Sequence, residues 1–324
     1  MKGWFSNNFK PWLIALAMTV FVPAYLTNPA AYALGSTCNV SMTTLAFGNI
    51  DVTTGAVVDS TGTVTVTCTG GLPVLGSQLV CINIGAGSNG DATSRRMSGP
   101  SFLRYELYLD AARTIPWGSW QTGYHGAGAS VTIPQNGMQN LTVYGRVLGS
   151  QQSVVSGSYS DTLAGQPFVT WEYIPLLNTC PDILGGTTST SFTVTATVTP
   201  SCTVSTVGAN FGTVGSLASA IDTTGTVNVA CSNGAPYNVG IGAGNGIGAT
   251  VSARKMTSGA NTVTYSLYSN AGRTTVWGNT IGTDTVTGTG VGSNQALTVY
   301  GRVPAGISPA PGTYTDSAIV TVTY

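Results

Sequence analysis

Charge is what this sequence has least of. Only 7% of its 324 residues are Asp, Glu, Lys or Arg, divided evenly into 11 acidic and 11 basic, with a single histidine. A neutral chain with so few basic residues lacks the electrostatic footprint of nucleic-acid binding, so no nucleic-acid partner is expected. Glutamate and lysine, which populate helix surfaces, are also scarce. In their place stand Thr, Val, Ser, Gly and Tyr, residues of pleated strands and tight turns. The expected fold class is all-β, and 42% apolar residues exclude a disordered chain.

The groups that catalysis needs are scarce too. His125, the one possible imidazole base, lies in a Gly-rich stretch with no nucleophile motif around it, and reads as a solvated loop residue. Glu106 and Glu172, the only glutamates, fall on expected strands facing solvent, which is a poor basis for a paired-carboxylate hydrolase. No G-x-x-x-x-G-K-[ST] phosphate loop occurs, and the glycine runs near 85–90 and 240–248 read as turns. The six cysteines contain no C-x-x-C pair, and one histidine cannot complete a zinc site. No enzyme, cofactor or metal is expected.

Long apolar runs are missing except at the start. Lys2 and Lys10 precede the run from Trp12 to Leu26, which Pro23 interrupts, and Ala31-Tyr32-Ala33 supplies a small-x-small cleavage pattern. Residues 1–33 therefore read as an export signal, and the mature chain carries 9 basic and 11 acidic residues. Cys38, Cys68, Cys81, Cys180, Cys202 and Cys231 all follow that signal, so export to an oxidising compartment makes disulfides the default.

The mature sequence repeats itself once. Cys38 answers to Cys202, Phe47-Gly48 to Phe211-Gly212, Cys68 to Cys231, Arg96-Met97 to Lys255-Met256, and Trp117-Gly118 to Trp277-Gly278. Leu141 to Val147 recurs as Leu297 to Val303, and Gly157 to Asp161 as Gly312 to Asp316. Each copy reads as short alternating strands between Gly, Ser, Asn and Pro clusters, the pattern of a β-sandwich. Six strands are expected in the second copy, near 202–211, 224–231, 237–242, 261–268, 296–303 and 316–324, where an immunoglobulin-like sandwich wants seven. A sandwich without its last strand exposes an apolar groove and unpaired backbone. Cys38–Cys68 and Cys202–Cys231 would each fasten a first strand to a second.

The C-x-V near each domain start, the Phe-Gly, the G-T-V-x-V-x-C strands (Gly62 to Cys68, Gly225 to Cys231), L-T-V-Y-G-R-V, and G-x-Y-x-D with a terminal V-T-V-T-Y together resemble the spore coat protein U domain family, which includes subunits of archaic chaperone-usher pili. The resemblance spans nearly the whole mature chain. It implies an incomplete immunoglobulin-like fold, a periplasmic chaperone that lends a strand, an outer-membrane usher, and final complementation by an adjacent subunit. Only Leu34 to Thr37 precede Cys38, too few to donate a strand. Instead Phe192, Val194, Ala196 and Val198 alternate with threonines between the copies, the pattern of a half-buried strand, and are expected to complete the first copy in cis.

The expected organisation is therefore a signal over 1–33, an adhesin-like domain over 34–173, a loop and linker over 174–200, and a pilin-like domain over 201–324. A subunit that accepts a strand but donates none resembles a two-domain tip adhesin, exported through the periplasm to the pilus tip and attaching cells to an abiotic or host surface in biofilms. A coat or matrix protein that polymerises by strand exchange, and a sugar-binding lectin, are the alternatives. Candidate surface-binding residues are Leu72, Val74 and Leu75 after the second strand, Trp120 and Tyr124 between the fourth and fifth, and Ile174, Leu176, Leu177, Ile183 and Leu184 after the sixth. Cys81, placed at the start of the third strand, and Cys180 fall at that same end and are expected to pair.

Overall fold

The computed structural model describes residues 35–71, 76–165, 168–173, 179–182 and 186–324; the expected export signal over 1–33 lies outside them. The first domain holds β1 (Thr37–Met42), β2 (Leu45–Ile50), β3 (Val58–Thr69), β4 (Ser77–Asn83), β5 (Arg95–Ser98), β6 (Phe102–Tyr108), β7 (Ala129–Pro134), β8 (Met138–Val147), β9 (Gly157–Leu163), β10 (Phe168–Tyr173), β11 (Gly186–Ser189) and β12 (Phe192–Val198). The second holds β13 (Cys202–Val207), β14 (Ile221–Cys231), β15 (Pro236–Ile241), β16 (Arg254–Ser258), β17 (Asn261–Tyr268), β18 (Val286–Thr289), β19 (Asn294–Val303) and β20 (Val320–Thr323). A single short 3₁₀ turn at Cys180–Asp182 is the one helical element among the described residues.

In the first domain an eight-stranded sheet, ordered β1-β3-β8-β6-β5-β9-β12-β2, faces a four-stranded sheet, β11-β10-β4-β7. Valine–threonine alternation produces this layering. Along β3 every second residue from Val64 to Cys68 is buried while the threonines between them are not. The second domain repeats the plan with a five-stranded sheet, β13-β14-β19-β17-β16, against β18-β15-β20.

Four of the strand expectations need correction. The second copy has eight strands, because β16 and β18 are too short and too polar to stand out in the sequence. Its first strand ends at Val207, and 208–214 belong to no strand; its last is confined to Val320–Thr323. The span 174–200 contains β11, which pairs with β10 and has no counterpart in the second copy.

Each domain is centred on a buried tryptophan and a buried arginine. Trp117 Nε1 donates to Ile82 O at 3.0 Å, and Trp277 Nε1 to Val239 O at 2.8 Å. Arg95 donates to Gly85, Ile84 and Trp117 carbonyls; Arg254 donates to those of Gly242, Ile241 and Trp277. These carbonyls lie where chain segments leave the sheets, so one guanidinium satisfies backbone acceptors that no strand can. The glycine of L-T-V-Y-G-R-V has an equally local reason. A Cβ on Gly145 would lie 2.9 Å from the Phe47 ring, and one on Gly301 would lie 3.0 Å from Phe211.

Thr199, Pro200 and Ser201 alone separate β12 from β13. Asn233 Nδ2 of the second domain donates to Ser153 O at 2.6 Å, and Ser201 Oγ donates to Asp51 Oδ2 at 2.9 Å.

Candidate functional site

Strand β12 is laid between two strands of the first domain. It runs antiparallel to β9, with Phe192 opposite Leu163, Val194 opposite Asp161, Ala196 opposite Tyr159 and Val198 opposite Gly157. On its other side it runs parallel to β2, placing Val194 against Leu45 and Val198 against Ile50. Phe192, Val194, Ala196 and Val198 are all buried, while Thr193 and Thr195 are half-buried between them. Burying each of the three larger side chains stabilises by about 2 kcal/mol. The first core thus includes four residues that lie outside the first sequence repeat.

The second domain has the same two walls. Thr223 Oγ1 donates to Asn210 O at 2.6 Å, as Ser60 Oγ donates to Ala46 O at 2.7 Å in the first domain, so segment 208–214 holds the place of β2. A bridge joins Thr257 to Thr315 where Ser98 meets Ser160, so 312–318 holds the place of β9. Tyr265 Oη donates to Asp316 Oδ2 at 2.7 Å, as Tyr105 Oη does to Asp161 Oδ2 at 2.8 Å. Among the described residues no strand lies between these walls. The exposure follows: Ile50, opposite Val198, is 2% exposed and its counterpart Val214 44%. Phe211, Met256 and Tyr314 are half-buried where Phe47, Met97 and Tyr159 are fully buried. The result is an apolar trough between two backbone segments, a shape that an extended polypeptide fits.

The opposite feature belongs to the first domain alone. Cys81 and Cys180 are bonded, with their Cα atoms 5.6 Å apart, and half-buried Trp120 packs on the bridge. Cys81 is the fifth residue of β4 and does not begin it. Cys38–Cys68 and Cys202–Cys231 bridge facing residues of β1 with β3 and β13 with β14. Leu72, Val74, Leu75, Ile174, Leu176, Leu177, Ile183 and Leu184 lie outside the described residues.

Tyr124 is no surface residue. It is buried, and its hydroxyl donates to Glu106 Oε2 at 2.7 Å. Glu106, expected to face solvent, is buried as well. It accepts from the Arg95 guanidinium and the Leu107 amide, and His125 Nε2 lies 3.0 Å from it. His125 is therefore held by a carboxylate, with its side chain 21% exposed. Burial raises the Tyr124 phenol well above its ordinary range, and Arg95, 4.6 Å over the ring, opposes that shift. Gly118 allows the fold-back, because a Cβ there would meet Tyr124 O. The second copy has Ser266 in place of Glu106, and Arg254 donates instead to Val251 O at 2.6 Å. A glutamate in one repeat where the other has serine, opposite a shared arginine, was the sequence signal for this cluster. It pins the segment carrying Trp120, and it has no substrate-accessible nucleophile. The side chain of Glu172 lies outside the described set. No three His, Cys, Asp or Glu residues converge as a metal site among the described residues.

Tandem immunoglobulin-like sandwiches, one closed by a strand from the interdomain connection and the other with the equivalent trough open, define a strand-complemented β-sandwich protein. The chain belongs to the Spore Coat Protein U domain family, whose profile matches residues 26–166 and 188–323. The second match takes in β12, although β12 pairs in the first domain. A curated relative, Protein U of Myxococcus xanthus, is 35% identical over 107 residues, 31% of this chain; the chain spans 59% of that protein. The chain is also similar in fold to the solved CsuC–CsuE chaperone–tip adhesion subunit pre-assembly complex from the archaic chaperone-usher Csu pili of Acinetobacter baumannii. That likeness has a TM-score of 0.53 and 17% identity, and it covers 89% of this chain and 100% of the other.

Proposed function

We propose that this chain is an exported pilus subunit, the tip adhesin of an archaic chaperone-usher fibre that attaches cells to surfaces and supports biofilm formation. One observation carries the reading: the trough filled by β12 in the first domain is open in the second. The first domain needs no outside strand. The second accepts one, first from a periplasmic chaperone and then, at the outer-membrane usher, from an adjacent subunit. With its own donor segment used internally, the subunit ends the polymer. The bridged region around Cys81, Cys180 and Trp120 then presents the contact surface to an abiotic or host target.

The test is to produce the mature chain in a periplasm with and without the cognate chaperone. Expected is a soluble complex with it, and aggregation or degradation of the second domain without it. A monodisperse chain whose second domain unfolds cooperatively without any partner would overturn the reading. Immunogold label should gather at fibre ends; label along the shaft would remove the tip assignment. A coat or matrix protein polymerising through the same trough is the second reading, favoured by the family's spore-coat description, and it predicts label spread over the cell envelope.

A further inference from the structure

The two troughs have the same walls and different linings. The aromatic floor is shared: Phe47 and Tyr105 stack edge to face at 6.3 Å, and Phe211 and Tyr265 at 6.0 Å. Tyr159 is matched by Tyr314. Around that floor three positions of the second lining carry smaller residues. Ala209 stands where the first domain has Leu45, Val214 where it has Ile50, and Ala318 where it has Leu163.

Register turns this into a rule for the occupant. In the first domain Val194 is flanked by Leu45 and Asp161, Val198 by Ile50 and Gly157, and Ala196 by Tyr159. The sites equivalent to Val194 and Val198 in the second trough are flanked by Ala209 and Val214, so valine there leaves unfilled space. The site equivalent to Ala196 still faces a tyrosine, so a larger residue there would overpack.

We infer that the second domain's trough discriminates against this chain's own donor sequence and takes an extended strand of another protein, with larger aliphatic residues at the Val194 and Val198 positions and a small one at the Ala196 position. The inference rests on reading the trough as a strand acceptor. Its consequence is selectivity: copies of this chain do not cap one another with a displaced β12, and the trough stays open for the fibre's own subunit.

The mature full-length chain, purified as its soluble chaperone complex, tests this by displacement of the chaperone's strand, since its first trough is already filled by β12. Three fluorescent peptides are titrated by anisotropy: a copy of residues 190–199, the same peptide with Val194→Leu and Val198→Ile, and the copy with Ala196→Leu. The enlarged peptide should bind about tenfold tighter than the copy, the scale of two added buried methylenes. The Ala196→Leu peptide should bind at least about tenfold weaker, as overpacking demands. In an Ala209→Leu, Val214→Ile chain, which restores the first domain's residues at those two positions, the advantage of the enlarged peptide should vanish. Equal binding of the copy and the enlarged peptide to the unaltered chain, or tolerance of Ala196→Leu, overturns the inference and leaves the acceptor reading intact. Failure of every peptide to bind overturns both.

Discussion

Arg95 and Arg254 hold equivalent sets of three carbonyls, and Trp117 and Trp277 reach equivalent strands, yet Ile50 is shut away from solvent while Val214 is not. The difference between the domains is therefore not a weaker core plan. At the trough it is one strand of seven residues, β12, which carries four apolar side chains into the first domain; beside it the first domain has β11, which the second lacks. A sandwich of this kind can keep its hydrogen-bonded walls in place without that strand, as the bridge from Thr257 to Thr315 shows. What it cannot do alone is cover the side chains between them.

The comparison breaks most completely at Val194. Val194→Asp would bury a second carboxylate between Leu45 and Asp161, costing about 4–5 kcal/mol in the first domain alone. Calorimetry of the full chain in its soluble chaperone complex should show the first domain's transition falling; an unmoved first-domain transition would return β12 to the second repeat.

Next comes Glu106→Ser, which gives the first domain the second's residue. Arg95, Tyr124 and His125 lose their shared acceptor, at a cost of about 3 kcal/mol. Urea denaturation followed by Trp120 fluorescence should report the segment loosening first. Replacing Cys81 and Cys180 by serine should cost about 2–3 kcal/mol, with surface attachment reduced more than fibre assembly. Equal losses in both assays would make the bridge purely structural.

The smallest effect is a pH dependence. Hydrogen bonds from Arg146 and Arg302 hold Asp59 and Asp222 below the ordinary carboxylate value of 3.8. That stability is present above pH 3.8 and is lost in both domains as pH falls. Burial raises Asp161 instead, with the Tyr105 hydroxyl and Arg95 opposing. Its stability is therefore present below pH 3.8 and is lost as pH rises through the folded value, which partly offsets acid loss in the first domain. Asp161→Asn should remove that offset, so the first domain's melting temperature at pH 3 should fall further from its value at pH 6 than in the unaltered chain.

Much of this was legible before any coordinates. The repeat, the paired first and second strands and the alternation from Phe192 to Val198 are written in period-two patterns and cysteine spacing, which depend on local geometry. The expected strand 202–211 overran its true end at Val207, because 208–211 have no strand neighbour and pairing is not a local property. Tyr124, His125 and Glu106 were misplaced for a related reason. Glu106 sits between buried Tyr105 and Leu107, so alternation points it outward, and a Gly-rich fold-back then covers that outward face. Strand periodicity describes two faces of a sheet; it does not say whether a loop returns to cover the outer one.

The three-residue connection between β12 and β13 also makes β12 a mechanical element. Tension on the second domain passes straight into β12 along its own axis, with no slack to take up. Its seven register pairs with β9 and its pairing with β2 lie across that axis, so the load falls on them together, in shear, and not one after another as in peeling. The segment that completes the first domain is thus also the line through which that domain is pulled.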